Sequence, residues 1–525
     1  MREKGSYLNK SGIIGGAISL TVATLVVKIL GVIYKVPLSY ILGDEGMGYF
    51  NSAYTVYSFF YLICTAGVPK AIMISVSERE AGGRMITKIA SRSYLTFGGF
   101  VTLIFLLSAG ALSRLIGSPA SAYTMLAVAP SVIFISVGGV LRGYLSARHR
   151  FLSVAVSQII EGAGKLVFGL FFALIGFRLC LPLYVISALT ILGVSLGAIF
   201  ALVYLSVLTK RENKKDSLEV LALDRDERRG IMKRIFAVSF PITLSAAVMS
   251  ATNILDLLLI MKGLVASGVS GETATALYGN YTTMAVPMLN LAISIITPIS
   301  IAYIPTFTRA YINNRKELEG NIADALRLTA FVSAPVSLGM IIYSREILAL
   351  LFDDNGARVG APLLRVLAVG FIFFSALLIV NSALEASGAV RVPVYAMTVG
   401  CIFKLISSFI LIRNDGYGIL GAPIGTVLCY AVGLISALLY GSIKCKARFP
   451  IIAAYFKPML LAFFSVSLSR LVFYPVCEAL GESAGTLAAV GFSALLYLAL
   501  SLAFGMSKSL NFGKRTKYTK LPESI

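Results

Sequence analysis

Apolar residues in this chain recur neither at every second position nor along a single helical face. They run almost unbroken for about 20 residues at a time, the length a helix needs to cross about 30 Å of hydrocarbon. Fourteen such stretches stand out, at 12–34, 47–68, 93–113, 123–141, 152–177, 180–208, 235–260, 276–304, 328–351, 362–386, 394–412, 419–442, 458–480 and 484–505. Strands of a membrane barrel would alternate over about ten residues, and runs such as FVTLIFLLSAGAL do not. The pattern predicts an all-α integral membrane protein with 14 transmembrane helices. An even number puts both termini on one side.

Composition agrees. Apolar residues make up 57% of the 525 and charged residues 14%, against about 45–50% and about 25% in soluble domains. A string of water-facing domains is excluded. The net charge of +21 would suggest nucleic acid in a soluble protein, but too little wet surface remains for that partner. The cations instead mark topology. Of 46 Lys and Arg, 34 fall in one set of loops and tails and only six in the opposite set. Cytoplasmic loops carry the excess, so both termini are expected in the cytoplasm of a multi-pass protein of the cell membrane. The charged start MREKGSYLNKSG resembles a signal peptide. The apolar run after it is too long, carries Lys28 and lacks a clear cleavage site, so it reads as a retained first helix. The six cysteines form no C-x-x-C pair and read as small buried thiols.

Two halves of the chain look alike. GAGKLVFGLFF, with Lys165, aligns with CIFKLISSFIL, with Lys404; GYFNSAYTV, with Tyr49 and Asn51, aligns with LYGNYTTMA, with Tyr278 and Asn280. The expected organisation is an N-terminal lobe over 1–208 (helices 1–6), a charged cytoplasmic linker over 209–234, a C-terminal lobe over 235–442 (helices 7–12), and helices 13–14 with a basic tail over 443–525. Parallel repeats of this kind build transporters whose halves rock around a central site.

Charges inside the membrane need a reason, since each costs on the order of 2.5–3.5 kcal/mol at mid-bilayer. Helix 1 presents Thr21, Thr24, Lys28, Gly31 and Lys35 at three- and four-residue spacing, a polar stripe on an apolar helix. Lys28 and Lys35 read as cavity-lining or, respectively, as paired and snorkelling. Lys165 has Glu161 one turn before it, an arrangement that favours mutual neutralisation. Lys404 has no local acid, although Glu385 on helix 10 is within plausible reach. Asp256, with Asn253 beside it on helix 7, is a candidate ion-coupling site or the partner of a lysine. Lys70, in GVPKA, is either a headgroup contact or an ordinary cytoplasmic cation. Arg345 and Arg365 read as interfacial salt-bridge residues, and Arg470 as a packed cation. The first-half pathway is thereby tilted positive, which attracts phosphate-like anions and repels cationic drugs.

The stretch from Lys28 to Glu78 resembles the opening of the multidrug/oligosaccharidyl-lipid/polysaccharide exporter superfamily. The branch it is most similar to holds stage V sporulation protein B and the lipid II flippases of Gram-positive bacteria. The residues that carry the resemblance are Leu30, Gly31, Tyr34, Lys35, Pro37, Gly43, Gly46, Gly67, Pro69 and Ala71. The resemblance implies a V-shaped bundle of two pseudo-symmetric six-helix lobes with an appended helix pair beside a lipid tail. It implies a flippase, not an enzyme, acting by alternating access on a lipid-linked oligosaccharide, a polyprenyl-pyrophosphate saccharide such as lipid II. It implies no cofactor, with coupling to Na+, H+ or the membrane potential. Membrane lipids are the other expected partner, and function as a monomer is expected. Pyrophosphate contacts in such flippases map onto Lys28, Lys35 and Lys70; Lys165 and Lys404 join them as candidate cavity cations, with Thr24, Asn253, Asp256, Glu161 and Glu385 as polar or coupling residues. Where the family commonly carries Arg, this chain carries Lys, a point charge without the bidentate fork. A drug/cation antiporter would show twelve helices and an acidic cavity. An envelope enzyme would need an outer domain, and the expected outer loops are too short to hold one.

Overall fold

The computed structural model describes residues 4–77, 83–215, 225–313, 315–389, 391–414, 416–444 and 448–506. Among these the chain is helical almost throughout: α1 (Lys4–Thr65), α2 (Val68–Ser77), α3 (Gly83–Ile116), α4 (Ser121–Val128), α5 (Ser131–Ala147), α6 (Phe151–Arg178), α7 (Leu183–Lys215), α8 (Arg225–Ala266), α9 (Gly271–Asn280), a π-helical turn (Tyr281–Ala285), α10 (Val286–Asn313), α11 (Arg315–Ile342), α12 (Ser344–Ala349), α13 (Asp354–Ala386), α14 (Arg391–Ile412), α15 (Gly421–Lys444), α16 (Ile451–Leu468), α17 (Arg470–Leu480) and α18 (Glu482–Ala503). Helices dominate because lipid offers the backbone no hydrogen-bond partner.

Twelve segments among the described residues are long and apolar enough to span a bilayer. The first of them, Ala23–Ser77, covers 55 residues, too many for one crossing. It is broken inside α1 by Gly43, at φ 61° and ψ −174°, a left-handed conformation that glycine adopts without strain. The expected fourteen would follow from dividing that segment at Gly43 and adding α8, a 42-residue helix outside the twelve.

The helices gather into two compact units, Met1–Thr283 with Ser408–Ile419, and Met284–Ser407 with Leu420–Ile525. In the first unit, α1 packs against α6, α8 and α9, and α6 lies along α7. A core of Val68, Ile72, Tyr94, Tyr144, Leu205 and Ile235 binds α2, α3, α5, α7 and α8. Small residues set the closest approaches: a Cβ on Gly48 would lie 2.1 Å from the Thr275 carbonyl oxygen, and one on Gly67 would lie 2.3 Å from that of Ser239.

In the second unit, α11 and α13 pack together, with α16 against α11. One polar seam of this unit is closed by Ser375, which bonds both Ser333 and the Tyr455 hydroxyl. Arg470 docks α17 on the end of α11. It donates to Glu346 Oε1 and to the Ile342 carbonyl, each at 2.7 Å, and its guanidinium covers the Tyr343 ring at 4.5 Å. Arg345 pairs with Asp354, as expected of an interfacial cation, whereas Arg365 donates to the Ser344 hydroxyl.

Candidate functional site

The site begins with glycines. On α7, Gly193 and Gly197 are four residues apart and face α6, the small-x-x-x-small pattern that lets helices in lipid approach closely. A Cβ on Gly197 would stand 2.5 Å from the Glu161 carbonyl oxygen and 2.9 Å from the Lys165 nitrogen; one on Gly193 would stand 2.4 Å from the Gly169 nitrogen. Gly169 in turn makes room for Tyr34 of α1, whose hydroxyl would lie 2.5 Å from an added Cβ. Backbone contact thus fixes the stretch of α6 that carries Glu161 and Lys165 between α7 and α1.

Between α1, α5 and α6 lies a cleft of about 480 Å³. Three cationic side chains line it, Lys28, Arg142 and Lys165, against one carboxylate, Glu161. Thr24 and Gln158 add neutral polar groups, and Tyr34, Tyr54, Tyr57 and Tyr61 supply an aromatic wall. The rings follow one face of α1: Tyr54 and Tyr57 have centroids 5.6 Å apart, and Tyr57 and Tyr61 5.9 Å. Chemically this is a positively biased cleft with flat apolar faces, suited to a phosphate-bearing group attached to a ring-shaped polar body.

The expected Glu161–Lys165 pair is not formed. Arg142 donates from Nη2 to Glu161 Oε2 at 2.5 Å and from Nε to Ser157 Oγ at 3.0 Å. The Lys165 amine turns instead onto rings: 4.1 Å from the Tyr54 centroid, 5.4 Å from Tyr34 and 5.9 Å from Phe50. Arg142 falls just outside the predicted span 123–141, among the loop cations. Its neighbours Arg148 and Arg150 made the stretch look like a basic loop, but Arg142 sits inside α5 and is only 9% exposed. The available signal was its own flanks, SVGGVLRGYL, which are apolar enough to continue the helix.

Of the other candidates, Thr24 and Lys28 line the cleft from exposed positions; Thr21 lies outside the described side chains. Lys35 faces away from it, donating to the Thr282 carbonyl at 2.8 Å and to Asn51 Oδ1 at 3.2 Å. Asn51 passes the chain of bonds on to the Thr283 hydroxyl at 2.7 Å. Thr282 and Thr283 belong to the π-helical turn, the kind of wide turn that marks functional positions. Lys70 is exposed on α2 and Asn253 is exposed on α8, where Asp256 is half-buried; none of the three lines the cleft. In the second unit, Lys404 is half-buried on α14 and Glu385 is exposed near the end of α13.

Helices of this length and apolar character define a multi-pass membrane protein. A solved structure titled lipid II flippase MurJ, inward closed conformation, superposes at TM-score 0.73 over 94% of this chain and 99% of that one, at 16% identity. An inward-facing multidrug resistance MATE family transporter of the MOP superfamily superposes at TM-score 0.63, over 81% of this chain and 94% of that one, at 15% identity. The family described as polysaccharide biosynthesis protein matches residues 13–311, and the chain belongs to that family, in the flippase branch of the multidrug/oligosaccharidyl-lipid/polysaccharide exporter superfamily. MatE matches residues 241–410. Among curated relatives, stage V sporulation protein B of Bacillus subtilis (strain 168) is 24% identical over 95% of this chain and 96% of its own. Lipid II flippase MurJ of the same organism is 22% identical over 83% of each.

Proposed function

We propose that this protein flips a polyprenyl-pyrophosphate-linked saccharide, foremost the peptidoglycan precursor lipid II, across the cytoplasmic membrane by alternating access. The observation that carries the reading is the cleft lined by three cations and one carboxylate. A pyrophosphate brings negative charge into a partly dehydrated space, where cations attract it more strongly than in water. Lys28 and Lys165 are the residues assigned to that group, and the tyrosine wall is assigned to the saccharide. In this reading Lys70 greets the headgroup at the cytoplasmic mouth, and the polyprenyl tail stays in lipid beside α16–α18. The relatives named for stage V sporulation and for lipid II support the substrate class.

Membrane potential or an ion gradient would drive the cycle, with Asp256 as the coupling residue. Flipping breaks no covalent bond, so the protein is a transporter and not an enzyme in this scheme. Export of cationic drugs is disfavoured by the same cleft, whose charge repels them. The decisive experiment is complementation of a strain depleted of its lipid II flippase. Growth on induction of this chain supports lipid II as cargo. Lysis despite correct membrane insertion rejects lipid II and redirects the assignment to another lipid-linked glycan.

A further inference from the structure

Lys165 and Glu161 stand one turn apart on α6, the spacing at which a lysine and a glutamate on a helix meet. They do not meet here because Arg142, from the neighbouring α5, takes the carboxylate first. It is held at two points: Nε donates to Ser157 Oγ while Nη2 reaches Glu161, so one planar guanidinium joins two successive turns of α6. Arg142 and Glu161 are both largely buried, with side chains 11% and 22% exposed. Among the described residues no carboxylate is paired with the Lys165 amine, which lies against Tyr54, Tyr34 and Phe50.

We infer that Arg142 is a positioning residue: by sequestering Glu161 it keeps Lys165 uncancelled and available to an anionic ligand. The proposal rests on the reading of the cleft as a pyrophosphate site. An ammonium over aromatic faces is held only by the ring quadrupoles, more weakly than a buried carboxylate would hold it. A phosphate can therefore draw it off the rings, whereas a lysine already paired with Glu161 would have to exchange one anion for another. The function of Arg142 is thus exercised at a distance, through which partner Glu161 has.

The test uses the full-length protein in detergent micelles, with farnesyl pyrophosphate as the probe and farnesol as its uncharged control. The chain has 25 Tyr and no Trp, so binding is read from the change in tyrosine emission, to which the four cleft tyrosines contribute. Arg142→Gln is expected to weaken pyrophosphate binding at least tenfold, because Glu161 is released to Lys165. Arg142→Gln/Glu161→Gln is expected to recover most of that loss, and Arg142→Lys to lose less than Arg142→Gln. In a Lys165→Gln background, Arg142→Gln is expected to cost little more. If it costs the same factor there as in the wild type, Arg142 acts as a plain charge and the proposal is overturned. A double variant as weak as Arg142→Gln overturns it as well. Should Arg142→Gln not fold, Glu161→Gln alone decides: binding as tight as wild type or tighter supports the proposal, and weaker binding rejects it. Wild-type protein that does not distinguish farnesyl pyrophosphate from farnesol removes the pyrophosphate reading itself, a failure separable from that of Arg142.

Discussion

The Lys165 amine lies 4.1 Å from the centre of the Tyr54 ring. That contact gives the first prediction. Tyr54→Leu removes the ring that competes with the ligand for the cation and is expected to tighten pyrophosphate binding, by at most the factor corresponding to about 0.5–2 kcal/mol. Tyr54→Phe keeps the ring face and should bind within about twofold of wild type, since a difference of 1.4 kcal/mol is tenfold. Titration with farnesyl pyrophosphate separates the two. An equal change in both variants would point to the hydroxyl instead.

Removing charge from the cleft should stop transport without affecting insertion. Lys28→Gln is expected to lower flipping of a lipid-linked substrate in proteoliposomes at least tenfold, at unchanged protein yield. Asp256→Asn tests the coupling assignment on its own. Its expected signature is transport that no longer responds to an imposed ion gradient, and a fully responsive variant would dismiss Asp256 from that role.

Lys35 is spent on protein groups. Lys35→Met removes two hydrogen bonds from a charged donor, each worth about 1.5–3 kcal/mol, and leaves the Thr282 carbonyl and Asn51 Oδ1 each short of one. Hydrogen exchange by mass spectrometry should then quicken over Tyr281–Ala285. Exchange at the wild-type rate would mean that the π-helical turn holds itself.

Gly197→Ala inserts a methyl group where the α6 backbone already lies 2.5 Å away. Overpacking of this kind costs about 1–3 kcal/mol. The expected outcome is a lower thermal midpoint in detergent together with weaker probe binding, because the strain falls on the turn between Glu161 and Lys165. Gly110→Ala, which meets nothing within 4 Å, is the matched control.

At the other unit, Arg470→Gln deletes the hydrogen bonds to Glu346 and Ile342. It is expected to destabilise the protein by about 2 kcal/mol, the scale for charged hydrogen bonds. The loss should be visible as proteolysis within α17 and α18 before the rest of the chain is cut.

The helices were legible because the bilayer imposes one length and one kind of backbone, and the transporter class followed from the first 80 residues. Lys28 and Lys165 were found by their cost in lipid and Thr24 by its place on the helix 1 stripe, and all three line the cleft. The partner choice of Glu161 was not legible, because sequence spacing reports neighbours on one helix and Arg142 comes from another. Lys35 shares the stripe of Lys28, yet its amine turns to Asn51 and Thr282, groups that only the packed chain brings near. Arg142 was hidden for a different reason. Charge runs mark loops on average, and a buried arginine nearly two turns before a basic loop looks the same as the loop.

The bond from Lys35 to Asn51 joins residues 16 apart in sequence. Along an uninterrupted helix they would be separated by about 24 Å at 1.5 Å per residue. They touch because the chain doubles back at Gly43, whose added Cβ would meet nothing within 4 Å. The connection between the first two crossings is therefore a corner and not a loop. A tag or protease site placed at Gly43 would have to open that corner, and the Lys35–Asn51 bond would be lost with it.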